Sequence, residues 1–292
     1  MKEPMVMSPL GSFLRSRRAR IHPGEAGLPD AGGIRRVAGL RREELAQLAG
    51  ISVDYYVRLE QGRSPNVSHA ILTAIASALR LDQEEREYLF RLAHPPRSSI
   101  LPASRLQPRP EVHRMLEWIS APALVMCPRL DILAWNRAAT ELIGEFSDLP
   151  EKECNYARLQ LADRSIGARY NARHDLLAQD LAALLRVTLS LHPADARLLT
   201  LVDELREQSV EFSTEWENHP VHVKYSGTHW LKHSVYGDMT LSYEITKFPH
   251  DHGQTLIIYT APEGTTEHVA LRQIASDPGP RRTFNVASSR ST

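Results

Sequence analysis

Residues 40–62 leave this chain few ways to fold. Leu40, Leu45 and Leu48 recur with Glu44 at helical spacing, and Gly50 stops the run. The hydroxyl of Ser52 can cap the free amides of Asp54 or Tyr55 and so open a second short helix, which ends at Gly62. Two helices joined only by Gly50-Ile51-Ser52 must cross closely. Ala46 is small where they touch, Ile51 plugs the gap, and Tyr56 and Leu59 turn inward as anchors. Val53, Asp54, Val57 and Arg58 are left on the free face, near the amino end of the second helix.

Three further helical runs surround this pair. Phe13 and Leu14 mark one over residues 11–20. Ser68 caps a second, with Ile71, Leu72, Ile75 and Leu79, and Asp82 caps a third, with Tyr88, Leu89 and Leu92. Residues 21–39 are rich in glycine and proline and read as a loop or arm. The expectation is an all-α helix-turn-helix domain over residues 8–94, followed by a proline-rich linker over 95–110.

Residues 111–275 have a different texture. Short apolar strands over 123–127 and 131–135 flank a Pro128-Arg129-Leu130 turn, and Asn136 can cap a helix after them. Leucine-rich helices are expected over 173–191, 194–208 and 211–219. The period then changes from helical to alternating over 227–235, 239–248 and 254–260, with turn residues between the runs. This predicts an α+β domain, an antiparallel sheet with helices on one face, and a last helix over 266–274. Residues 276–292 are expected to be a disordered tail.

The whole chain carries 35 basic and 35 acidic residues and is formally neutral, but that balance hides a local excess. Between residues 10 and 63 there are ten arginines against six acids. Arg41, Arg42 and Arg63 flank the free face of the second helix, where they would hold phosphates without reading sequence. Arg35 and Arg36, in the irregular segment, would act as a backbone or minor-groove arm. On the face itself, Arg58 can take guanine bidentately, Val53 and Val57 can pack on thymine methyls, and Asp54 can accept from a cytosine amine. The expected partner is a double-stranded DNA operator, read by a homodimer on two half-sites.

Other classes find little support. No run reaches the roughly 18 apolar residues of a membrane span, because residues 176–191 are broken by Gln179, Asp180 and Arg186. The first nine residues lack the basic flank and apolar core of a signal peptide, and the cysteines are only Cys127 and Cys154, so a cytoplasmic protein is expected. There is no glycine-rich phosphate loop, nucleophile elbow or His-Glu-x-x-His helix, so neither an enzyme nor a cofactor is expected. His229 and His233 share one side of a strand but lie about 13 Å apart along it, too far for one metal ion, and are expected to be solvated.

Leu40-Arg-Arg-Glu-Glu-Leu-Ala-Gln-Leu-Ala-Gly-Ile-Ser-Val-Asp-Tyr-Tyr-Val-Arg-Leu-Glu-Gln-Gly62 resembles the XRE/Cro-type helix-turn-helix. With Leu10-Gly-Ser-Phe-Leu-Arg upstream and Leu89-Phe-Arg-Leu-Ala93 downstream, the domain is similar to that of the MmyB-like bacterial regulators. Two positions depart from the general pattern: Arg41 stands where Thr or Ser usually caps, and Val53 where Gln often reads adenine. Operator preference is therefore not carried over.

The run Ala123-Leu-Val-Met-Cys-Pro-Arg-Leu-Asp-Ile-Leu-Ala-Trp-Asn-Arg-Ala-Ala139, with Tyr243, Tyr259 and Thr260, is similar to the second domain of that family. The resemblance implies a PAS-like fold with a pocket for a small hydrophobic, fatty-acid-like effector. Trp135, Trp230 and Tyr243 are candidate lining residues. Arg186, a lone cation in a leucine-rich run, is a candidate partner for a ligand carboxylate. The alternative is a second domain that serves only dimerisation or a protein partner.

Overall fold

A computed structural model describes residues 8–28, 39–64, 66–95, 101, 107–147, 149–162, 174–248, 251, 253–276 and 284–285. These fall into two compact units. The first lies within Met1–Ser99 with Leu189–Pro193 and Asn218–His222, the second within Ile100–Thr188, Ala194–Glu217 and Val223–Thr292.

Five helices build the first unit: α1 (Pro9–Arg20), α2 (Arg42–Leu48), α3 (Val53–Glu60), α4 (His69–Ala78) and α5 (Gln83–Ala93). Each of α1, α3, α4 and α5 opens on a side-chain cap, from Ser8, Ser52, Ser68 and Asp82 in turn. The Ser52 hydroxyl accepts from the Tyr55 amide at 3.2 Å. Gly50 takes φ +64°, which a side chain would resist, and this lets the Ile51 amide reach Ala46 O at 3.0 Å and reverse the chain. Ala46, Tyr56 and Leu59 are fully buried, as the close crossing requires; Leu48 instead sits exposed at the edge of its stripe, and Ala49 takes the inward position.

A buried carboxylate locks three of these helices. Glu60, at the end of α3, accepts from Arg18 Nε of α1 at 3.1 Å and from Arg42 Nη2 of α2 at 2.6 Å. Arg18 also donates to Leu40 O at 2.6 Å. Burial by itself would raise the Glu60 pKa, but the hydrogen bonds and charges of the two guanidiniums outweigh it and hold the group below its ordinary value.

The second unit is a six-stranded antiparallel sheet in the order β3-β4-β5-β1-β2-β6. Its strands are β1 (Ala123–Met126), β2 (Ile132–Trp135), β3 (Ser226–His233), β4 (Gly237–Lys247), β5 (Thr255–Thr260) and β6 (Phe284–Asn285). Helices α6 (Pro110–Trp118), α7 (Arg137–Ile143), α8 (His174–Leu191), α9 (Ala196–Gln208), α10 (Val210–Glu217) and α11 (Thr266–Ser276) accompany it, with a π-helical turn at Arg158–Ala162. This is the α+β architecture expected from the change of period.

The π-helical turn, α6 and β6 were not legible in the sequence. The helix α6 begins at Pro110 and packs Val112 and Leu116 on Ala123, Val125, Ala134 and Leu256. By strand alternation these lie on the face opposite Leu124, Met126 and Ile257, so α6 adds cover to the second face. Strand β6 falls inside the expected disordered tail, where Phe284 pairs with Trp135 and Asn285 with Ala134. The rest of that tail past Ser276 lies outside the described residues, as does most of the linker.

Of the expected linker, residues 95, 101 and 107–110 are described, and Leu101 is held at both its amide and its carbonyl. The carboxylate of Asp195 is 1% exposed; it caps α9 through the Leu198 amide at 3.0 Å, takes Arg129 Nε at 3.0 Å and accepts from the Leu101 amide at 3.4 Å. Arg129 Nη2 in turn donates to Leu101 O at 3.1 Å.

Glu60→Ala strands the Arg18 guanidinium among apolar helices and should cost the first unit about 3–5 kcal/mol. Glu60→Gln, which keeps the shape, should cost less. The Glu60 contribution is present above the carboxylate's ordinary value and is lost as pH falls through its depressed folded-state value. Urea melts of the wild type and both variants, near neutral pH and in acid, measure this; equal melts would refute it.

Candidate functional site

In the first unit the candidate DNA-reading side chains lie together at the start and on one side of α3. Val53 is its first residue and is 45% exposed, Asp54 and Arg58 are exposed, and Val57 is half-buried. Arg58 Nε lies 3.4 Å from Asp54 Oδ2, one helical turn away. An exposed pair of this kind contributes about 0.3–0.5 kcal/mol, so a base edge or phosphate competes with it easily.

The flanking arginines differ more than their spacing suggests. Arg41 sits at the cap of α2, where its amide donates to Glu44 Oε2 at 2.6 Å and its guanidinium lies 3.6 Å from Glu43. Arg42 is about half exposed yet is committed to Glu60 through both Nε and Nη2. Arg63 is exposed, and its amide closes the end of α3 by donating to Arg58 O at 2.8 Å. Arg35 and Arg36 lie outside the described residues.

In the second unit two adjoining cavities open between α8 and strands β3, β4 and β5. One encloses about 180 Å³ and the other about 50 Å³. Leu177, Asp180, Lys224, His229 and Tyr243 border both and form the partition between them. The smaller cavity is otherwise mostly apolar, with Met126, Leu181 and Ile257 among its walls.

The polar side chains here make an ordered chain. His229 Nδ1 is 3.3 Å from the Tyr259 hydroxyl, and that hydroxyl is 3.3 Å from the hydroxyl of Tyr156. The His229 ring lies tilted against Tyr243, centroids 4.3 Å apart. Burial, reinforced by the nearby Lys224 charge, pulls the His229 pKa down to about 4, so the imidazole is neutral at neutral pH. Burial pushes the Tyr243 phenol up to about 12 and raises Tyr156 and Tyr259 as well. Gly227, directly opposite Tyr243 in the sheet, leaves the space this ring uses: a Cβ there would meet the Tyr243 hydroxyl at 2.9 Å.

Of the four candidate ligand residues, Tyr243 and Trp230 border the larger cavity. Trp135 does not line either: it is fully buried on β2, edge-on to Phe146 at 5.1 Å, and belongs to the core. Arg186 also lies away from both cavities. Its guanidinium stacks on the Trp216 ring at 4.1 Å and donates to Trp216 O, so that a cation in a leucine run is engaged by another helix rather than by a cavity. The expectation of solvated histidines fails for His229; His233, at the end of β3, is half-buried, with Nε2 on Glu141 O at 3.0 Å and Nδ1 accepting from the Val235 and Tyr236 amides. Alternation puts His229 and His233 on one side with Gly227 and Leu231; what separates them is position along the strand, where His229 meets Tyr243 and Tyr259. Among the described residues no group of three or more His, Cys, Asp and Glu could hold a metal, and no helix is long and apolar enough to cross a membrane.

Two family models match the chain. A helix-turn-helix domain model covers residues 9–89, and the MmyB-like transcription regulator ligand binding domain covers residues 108–274. The chain belongs to the MmyB-like transcription regulators. No curated protein matches it. In this MmyB-like regulator the helix-turn-helix is the DNA-binding part, and the cavities fall within the residues matched by the ligand-binding family.

His229 offers a direct check on the cavity. Between its ordinary value of 6.5 and its folded-state value near 4, the unfolded chain takes up a proton that the folded chain does not. Stability should therefore fall as pH drops through that window, and His229→Gln should flatten the slope. Imidazole NMR titration should place one resonance near 4; a His229 signal titrating at its ordinary value would show a solvated ring.

Proposed function

We propose that this MmyB-like regulator reads operator DNA with Val53, Asp54, Val57 and Arg58. Arg41, Arg42 and Arg63, with Arg35 and Arg36 of the preceding segment, hold the backbone, and the protein acts as a homodimer on two half-sites. The observation that supports the reading set is the exposure of all or part of these four side chains at the start of α3, while Tyr56 and Leu59 on the other side are buried. The second unit binds a small amphipathic, fatty-acid-like effector, whose occupancy changes operator affinity. What supports this is a cavity that combines apolar walls with hydrogen-bonding groups at one side. Its 180 Å³ resembles an engineered cavity of about 150 Å³ that takes benzene, and falls short of the roughly 300 Å³ at which drug-sized pockets begin. A short acyl group therefore fits the cavity as it stands, and a long one requires the partition at Tyr243 and His229 to move.

Arg58→Ala should weaken specific operator binding by about 1–3 kcal/mol and relax one base position, whereas Arg63→Ala should weaken all sequences alike and lower the salt dependence. Footprinting and salt-dependent binding on the protein's own upstream DNA separate the two; an unchanged footprint for Arg58→Ala would remove α3 from base reading. For the second unit, Leu176→Trp should fill the larger cavity, which Leu176 borders, and abolish the thermal shift produced by short acyl compounds. Absence of any shift in the wild type would favour a dimerisation or partner module.

A further inference from the structure

The charge balance of the cavity carries a conclusion about the effector's head group, resting on the reading of that cavity as the effector site. Of the described side chains bordering the two cavities, only Asp180 and Lys224 are charged near neutral pH. They neutralise each other: Lys224 Nζ lies 2.8 Å from Asp180 Oδ1. The other polar groups are uncharged near neutral pH: burial lowers the pKa of the imidazole, and the phenols are neutral at their ordinary value and more so when buried. Two of them have no hydrogen-bond partner among the described residues, His229 Nε2 and the Tyr243 hydroxyl. An incoming carboxylate would meet a cation already paired, and taking Lys224, half exposed at the cavity mouth, would leave the largely covered Asp180 carboxylate facing a second one. An uncharged hydroxyl, ester or amide meets no such conflict, because a neutral imidazole and a phenol can each donate or accept.

We infer that Asp180 makes this site select uncharged acyl-type effectors, such as alcohols, esters or amides, over free acids of the same chain length. Lys224 is a latent carboxylate site that Asp180 keeps occupied. Asp180 is thus a specificity-determining residue that acts by denying a cation to the ligand rather than by touching the preferred one.

The test uses hexanol and hexanoate with the full-length protein by isothermal titration calorimetry. The wild type should bind hexanol more tightly than hexanoate. Asp180→Asn should shift the affinity ratio toward hexanoate by about tenfold or more, a free energy of about 1.4 kcal/mol, and adding Lys224→Met to it should reverse that gain. A ratio is read within each variant, so a general loss of stability does not mimic the effect. If both probes bind and Asp180→Asn leaves the ratio unchanged, or if the wild type prefers hexanoate, the selection by Asp180 is overturned while the effector site stands. If neither probe binds the wild type or Asp180→Asn, the effector reading falls and the inference with it.

Discussion

A buried carboxylate shared by two guanidiniums holds the DNA-binding unit in shape. Glu60 ends α3, and by taking Arg18 from α1 and Arg42 from α2 it fixes the angle at which α3 is presented. Breaking one partner of such a set is costly because the remaining charge stays desolvated, so the three helices move together or not at all. Phe13 packs edge-on to Tyr88 at 5.0 Å and Arg17 pairs with Glu85 at 2.7 Å, which extends the same rigidity to α5. A reading helix needs this, since base contacts discriminate only when side chains arrive in fixed register. Arg42 is about half exposed even though its guanidinium completes the lock.

The helix-turn-helix was legible because its determinants are local. A cap at Ser52, a left-handed Gly50, a small Ala46 and the inward pair Tyr56 and Leu59 all act within twenty-odd residues, and each appears in the sequence at the position where the geometry needs it. The strands of the second unit were legible for a similar reason, from alternation and turn residues. What escaped was set by distant partners. Trp135 and Arg186 look like ligand residues in sequence because an aromatic on a strand and a cation in an apolar run both need an explanation. Phe146 and Trp216 supply it, and neither is a neighbour in sequence. Likewise α6 starts with a proline among prolines, and only Ala123, Val125 and Leu256, met through folding, show why Val112 and Leu116 are apolar.

The cavity illustrates how a site can be polar without being charged. His229, Tyr259 and Tyr156 form a chain of neutral groups, and such a chain orients hydrogen bonds without the desolvation cost of an ion. Among the described residues that border the cavities, the charged ones are a pair, Asp180 and Lys224, on the partition between them. Charge in the wall is therefore available to a ligand only through exchange of partners, and the geometry of Asp180 and Lys224 decides the terms of that exchange.

Leu130 links this cavity to the start of the second unit. It borders the smaller cavity with φ +66°, a conformation costly for leucine, and the Tyr156 amide holds its carbonyl at 2.8 Å. The preceding residue, Arg129, is the one that grips Leu101 together with Asp195, and its own carbonyl accepts from Asn155 Nδ2 at 2.8 Å. Two adjacent residues of a single turn therefore serve two parts of the second unit: Leu130 borders the cavity, and Arg129, with Asp195, holds the backbone of Leu101.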